Sequence, residues 1–182
     1  MSSTPQKVLL IGFGNPGRLD DGLGPAVAEA IGCLDLAGVT VDADYQLTVE
    51  DAAAVAEHDV VVFADADVAC APPFYFERVT PANEVSFSTH SVSPGAVVGL
   101  AQELFGATTD AWLLGVRGYE FNAFGESLSD GAQRNLALAI EFLVRTLGEN
   151  RFRDIPRTIN HSASDRTTDP VGEVQPCETA NT

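Results

Sequence analysis

The stretch "KVLLIGFGNPGRLDDGLGPAVAEAI", residues 7–31, decides the fold of this 182-residue chain. Residues 8–13 form a short apolar run that ends in a glycine-rich turn, which predicts a buried strand. After the turn, apolar residues recur at helical spacing over residues 22–31 and predict a helix. The ordered part of the chain is therefore expected to open with a strand, a glycine turn and a helix.

The glycine turn matches the G-x-G-x-x-G pattern of dinucleotide-binding proteins over residues 12–17, in the strand–turn–helix context that this pattern requires. Pro16 counts against a nucleotide because it removes an N–H group that would meet phosphate. Asp20 and Asp21 count against it because they place negative charge at the helix N-terminus. The two aspartates leave two alternatives, a helix cap that uses one of them or carboxylates presented to a cation.

Strands continue to alternate with helices beyond this first unit. The further strands are predicted at residues 39–45, 60–64, 74–79 and 112–116, and the further helices at 49–57, 94–104 and 129–147. This alternation predicts an α/β fold with a mostly parallel, twisted sheet covered on both faces. From residue 151 the sequence is polar, without an apolar period. We expect one α/β domain over residues 1–150 and a flexible polar tail over residues 151–182.

Composition narrows the classes of partner. The chain carries 26 acidic against 10 basic residues and a net charge of −16, which disfavours binding to nucleic acid or to an anionic membrane surface. No apolar run is long enough to span a membrane, and residues 1–6 do not resemble a signal peptide. Three cysteines without a C-x-x-C pair are typical of reduced thiols in a cytoplasmic protein.

Two further polar residues are predicted to lie at the edge of the sheet where the first turn lies. Asp65 follows the buried run in "VVVFADAD", and His90 lies in "STHSVSPGAVVGLA", just before the helix that Pro94 opens. Each residue alone fits a turn, a cap or a surface position. Two carboxylates and an imidazole at one edge suit a divalent ion such as Ni(II) or Zn(II). The sequence contains no G-x-S-x-G motif, no H-E-x-x-H motif and no cysteine beside a plausible base. It therefore does not indicate a serine, cysteine or zincin-type hydrolase.

The segments "GFGNPGRLDDGLGPAVAEAI", "VVVFADA" and "STHSVSPGAVVGLA" together resemble the hydrogenase maturation endopeptidases, over about residues 8–147. The resemblance implies a three-layer α/β/α sandwich of the phosphorylase/hydrolase-like kind. It implies that Asp21, Asp65 and His90 are both the metal-binding and the catalytic residues of an aspartyl-type protease. Asp20 is then a helix cap or a group that supports the site from behind.

The same resemblance implies a substrate and a metal. The family removes the C-terminal extension of the nickel–iron hydrogenase large-subunit precursor, after a D-P-C-x-x-C-x-x-[HR]-type motif, and recognises nickel that the precursor already holds. The sequence leaves open whether the ion serves only to recognise the precursor or also polarises the scissile carbonyl group.

Two rival functions stand beside this one. The turn "GFGNPG" also resembles the opening of the peptidyl-tRNA hydrolases, but their His and Asn are missing after it and the charge of −16 would repel tRNA. A nickel-binding maturation factor without enzymatic activity would need the same three ligands, and composition does not exclude it.

Overall fold

The computed structural model describes residues 6–82, 92–149, 152, 155–156 and 158–161. In chain order the strands are β1 (Val8–Phe13), β2 (Val39–Asp44), β3 (Val60–Asp67), β4 (Phe74–Arg78), β5 (Asp110–Arg117) and β6 (Thr158–His161). The helices are α1 (Leu23–Gly32), α2 (Asp51–Ala56), α3 (Pro94–Phe105) and α4 (Asp130–Glu149), and a 3-10 helix (Leu19–Gly22) directly precedes α1.

The described strands form one sheet in the order β2-β1-β3-β5-β4-β6. Strands β2, β1, β3 and β5 are parallel to one another, whereas β4 runs antiparallel to β5 and to β6. The predicted mostly parallel sheet is confirmed. Strand β2 lies on one side of β1, and β3 lies on the other side. The strand order therefore reverses between the carboxyl ends of β1 and β3, and such a point is where α/β sheets bind ligands.

The side chains of the parallel strands alternate between two cores. Val8 and Leu10 of β1 pack with residues of α1 and α4, whereas Leu9 and Ile11 pack with residues of α2 and α3. Strand β3 alternates in the same way and is buried on both faces from residue 60 to residue 64. The molecule therefore has the three layers, helix, sheet and helix, that the sequence predicts.

Serine hydroxyl groups cap the starts of two helices. Ser93 precedes α3, which begins at Pro94, and the Ser93 hydroxyl accepts a hydrogen bond from the N–H of Ala96 at 3.2 Å. Ser129 precedes α4 and its hydroxyl accepts from the N–H of Ala132 at the same distance. In the part of the chain that is described, no helix has the length and apolar character that crossing a membrane requires.

Two elements after residue 150 join the fold, so the prediction of a flexible tail is wrong for them. Phe152 is 1% exposed and its ring centroid lies 6.3 Å from that of Trp112. Residues 158–161 form β6, which pairs with β4. A single large aromatic side chain fills a core position without any periodic pattern, and a strand can be added through backbone hydrogen bonds alone. Residues 162–182 lie outside the described part of the chain.

Candidate functional site

Asp65 lies near the carboxyl end of β3, as the sequence predicts, in a strand that extends three residues beyond the predicted end at residue 64. The strand continues to Asp67 because β5 pairs with it to the end, with Asp65 opposite Gly115. The pKa of Asp65 is raised to about 7, mainly by burial, and the charges of Asp21 and Asp67 raise it further. A hydrogen bond from the N–H of Ala66 to Asp65 Oδ1, at 2.7 Å, opposes this rise. Asp65 is thus a carboxyl group that changes charge near neutral pH.

Asp21 lies in the 3-10 helix that ends the glycine turn. Its Oδ2 accepts a hydrogen bond from the N–H of Asn15 at 3.1 Å, which ties the side chain back to the start of the turn. Gly14 has φ of +137°, and a Cβ atom there would lie 2.1 Å from the carbonyl oxygen of Asp21. Only glycine fits this position, so the turn is built to fold tightly around Asp21.

Two other glycines hold the turn against β3. A Cβ atom at Gly12 would lie 2.2 Å from the carbonyl oxygen of Gly24, and one at Gly24 would lie 2.2 Å from the oxygen of Phe13 and 2.5 Å from that of Ala64. The first turn of α1 therefore touches the ends of β1 and β3 backbone to backbone. Asp21 lies three positions before Gly24, and Asp65 directly follows Ala64. This closeness explains why the charge of Asp21 raises the pKa of Asp65.

Of the two roles expected for Asp20, the helix cap is wrong and the supporting role remains. Neither the 3-10 helix nor α1 has a side-chain cap. Asp20 is fully buried, and its carboxylate accepts hydrogen bonds from the N–H groups of Tyr119, Glu120 and Ser129 and from the Ser129 hydroxyl, at 2.7–3.0 Å. Burial raises its pKa, but these bonds outweigh burial and lower it overall. Asp20 thereby fastens the turn to the segment between β5 and α4.

His90, the third predicted ligand, lies outside the described residues. Asp21 and Asp65 lie close enough for the charge of Asp21 to raise the pKa of Asp65, whereas the place of His90 stays a prediction. Strand alternation puts Asp65 on the face of β3 that carries α2 and α3, because Val61 and Phe63 pack there. Over the described ranges, no three His, Cys, Asp or Glu side chains are grouped so that they could hold a metal ion.

Tyr75 is a neighbour of Asp65 that the sequence reasoning missed. It lies opposite Gly115 on β4, and Gly115 lies opposite Asp65, so the three residues form a row across three strands. Burial raises the pKa of Tyr75 above its ordinary range, and the charges of Asp67, Glu77 and other nearby groups raise it further. The phenol is un-ionised under physiological conditions and is available as a hydrogen-bond donor.

Comparison with solved structures identifies the architecture. The chain matches a nickel–iron hydrogenase maturation protease, HycI, from Thermococcus kodakarensis KOD1 with a TM-score of 0.61 and 23% identity, over 79% of this chain and 93% of that one. It matches the hydrogenase 2 maturation peptidase of Thaumarchaeota archaeon SCGC_AB-539-E09 with a TM-score of 0.58 and 21% identity, over 79% and 99%. It matches the hydrogenase maturating endopeptidase HybD from E. coli with a TM-score of 0.57 and 22% identity, over 79% and 93%.

The chain has the fold of the hydrogenase maturation proteases. The expected α/β architecture is confirmed by these matches, which extend over nearly the whole length of each solved protein. No protein-family model and no curated protein sequence matches the chain. At this level of identity the likeness establishes the fold, and the function has to be argued from the site.

Proposed function

We propose that this chain is a hydrogenase maturation endopeptidase, which removes the C-terminal extension of a nickel–iron hydrogenase large-subunit precursor after nickel has been inserted. The single observation that carries the proposal is the pair Asp21 and Asp65, held together where strand order reverses. This is the ligand position of an α/β sheet, in a fold that the solved maturation proteases share.

The precursor's nickel ion is the recognition element in this proposal. Carboxylate and imidazole groups suit Ni(II), and we assign Asp21, Asp65 and His90 as the groups that engage it. In the sequence, His90 stands four positions before Pro94, the first residue of α3, and α3 packs on the face of β3 to which Asp65 belongs. Three ligands from this chain leave other positions on the ion for groups of the precursor. Cleavage then depends on completed nickel insertion.

Peptide hydrolysis in this site requires a group that moves protons. A water oxygen adds to the scissile carbonyl carbon, the C–N bond breaks, and one proton passes from the water to the departing amine. The carboxylates of the site, Asp21 and Asp65, are the groups that can accept that proton and return it to the amine. We place the reaction in the cytoplasm, with the precursor as partner and without nucleic acid or membrane.

The test is incubation of the protein with nickel-loaded and with nickel-free precursor, followed by mass measurement of both products. The proposal predicts one cut in the nickel-loaded precursor and none in the nickel-free form. Asp21→Asn, Asp65→Asn and His90→Ala should each abolish the cut. Asp42→Asn is the matched control, because Asp42 is an exposed carboxylate whose side chain accepts a hydrogen bond from the N–H of the next residue.

Three results would contradict the proposal in different ways. Equal cleavage of nickel-free precursor in a chelator would remove nickel recognition and keep the protease. Tight binding of the nickel-loaded precursor without any cut would favour a maturation factor that is not an enzyme. Wild-type cleavage by two of the three site variants would show that the site is elsewhere.

A further inference from the structure

The row Asp65, Gly115, Tyr75 places a phenol beside the carboxyl group of the candidate site. Adjacent strands in a sheet lie about 4.8 Å apart, so Asp65 and Tyr75 are each one strand away from Gly115. All three residues belong to the face of the sheet that carries α2 and α3. Phe74 and Phe76, which flank Tyr75, pack into the core on the opposite face.

The absence of a side chain at Gly115 lets the ring of Tyr75 lie across β5. A Cβ atom at Gly115 would lie 2.1 Å from Cε1, 2.3 Å from Cζ and 2.6 Å from the hydroxyl oxygen of Tyr75. The outer end of the ring therefore lies over Gly115, and the hydroxyl group lies on the side of β5 that faces β3 and Asp65. A larger residue at position 115 would turn the phenol away from Asp65.

The hydroxyl group of Tyr75 has no protein partner within the described part of the chain, and the side chain is only half-buried. The groups that act on it electrostatically are acidic, Asp67, Glu77, Cys70 and Asp65. An un-ionised phenol among such groups is a donor. Asp65 Oδ1 accepts a hydrogen bond from the N–H of Ala66, so we expect a ligand of Asp65 to bind at Oδ2.

We propose that Tyr75 is a further catalytic residue, whose hydroxyl group donates a hydrogen bond to a carbonyl oxygen of the peptide that Asp65 acts on. The proposal rests on the proposed function, since it takes a peptide as the substrate. As water adds to the carbonyl carbon, the oxygen gains negative charge, and a donor aimed at it binds the transition state more tightly than the ground state. The competing explanation is that the ring only fills the gap above Gly115.

The variant Tyr75→Phe separates the two explanations, because it keeps the ring and removes the hydroxyl group. We expect kcat for the nickel-loaded precursor to fall by at least ~10-fold, with KM and the urea midpoint unchanged. A ring that only fills space would leave kcat unchanged in this variant. Tyr45→Phe is the matched control, since Tyr45 is 67% exposed and follows β2, two strands away from β3.

A second variant tests the position of the phenol. Gly115→Ala adds a Cβ atom where the ring now lies, so it displaces the hydroxyl group without removing it. Gly115→Ala should lower kcat about as much as Tyr75→Phe does. The double variant should be no slower than the slower single variant, because both changes remove the same interaction.

The outcomes for the two proposals are distinguishable. If the wild-type protein cuts the precursor and Tyr75→Phe retains wild-type kcat and KM, Tyr75 is not catalytic and the proposed function stands. Independent, multiplying losses in the double variant would also overturn the role of Tyr75. A wild-type protein that fails to cut nickel-loaded precursor overturns the proposed function, and with it this proposal.

Discussion

Replacing Asp20 by alanine is expected to lower the free energy of unfolding by about 3–4 kcal/mol, far more than the loss of a surface carboxylate. The side chain is fully buried and accepts three backbone N–H bonds and one hydroxyl bond, from Tyr119, Glu120 and Ser129. Alanine would leave all four donors without their acceptor. These donors belong to residues roughly 100 positions away, so the change would also release a long-range connection.

The magnitude follows from counting the donors. A buried donor that loses its partner costs roughly 1–3 kcal/mol, and bonds to a charged group lie at the upper end of that range. Tyr119 and Glu120 are exposed residues, so water can replace part of what is lost at their N–H groups. We therefore take about 1 kcal/mol for each of four donors. A domain of this kind has a total stability of ~5–15 kcal/mol, so the loss is a large fraction of it.

The assay is urea unfolding followed by the fluorescence of Trp112, which is the single tryptophan of the chain and is fully buried. Asp42→Ala is the control, an exposed aspartate with one local bond. Because the pKa of Asp20 is lowered from its ordinary value of 3.8, its contribution is present above that value and is lost as pH falls through the folded-state pKa. The gap between wild type and variant should therefore narrow in acid. A variant within about 0.5 kcal/mol of wild type at pH 7 would refute the reasoning.

Three other outcomes are expected. In a chelating buffer, the wild-type protein should lose on the order of 3 kcal/mol of stability as pH rises from about 4 to above 7, because the raised pKa of Asp65 favours the protonated carboxyl group in the folded state. Asp65→Asn should lack this loss in parallel urea titrations. Phe152→Ala should cost about 3–5 kcal/mol in the same assay, and truncation after residue 150 should cost at least as much. Gly24→Ala should unfold at lower urea by roughly 1–3 kcal/mol, since its Cβ atom would meet two carbonyl oxygens; a midpoint equal to wild type would contradict the close contact.

Local patterns in the sequence were sufficient to predict the layers of the fold. The apolar runs that predict β1 and β3 and the helical spacing that predicts α1 each depend on neighbours along the chain, and each element is found as expected. The end of β3 was placed too early because Asp65 and Asp67 are polar. What extends the strand is its pairing with β5, from a segment about 50 residues later.

The parts of the site that depend on distant residues could not be predicted. Asp20 has the local sequence of a helix cap, but its hydrogen-bond donors come from the segment before α4. Tyr75 is placed beside Asp65 by two strand registers, and neither register is encoded near residue 75. Phe152 gave no signal because a lone aromatic residue in a polar segment has no period.

The close contact of α1 with the ends of β1 and β3 has a consequence for how the site tolerates change. Gly12 and Gly24 set the separation of helix and sheet by the thickness of two main chains, with no side chain between them. Substitutions elsewhere in the core can change the side-chain volume there without separating α1 from the ends of β1 and β3. The distance between the Asp21 turn and β3 is therefore fixed by main-chain contact and should stay constant when side chains elsewhere in the core are exchanged.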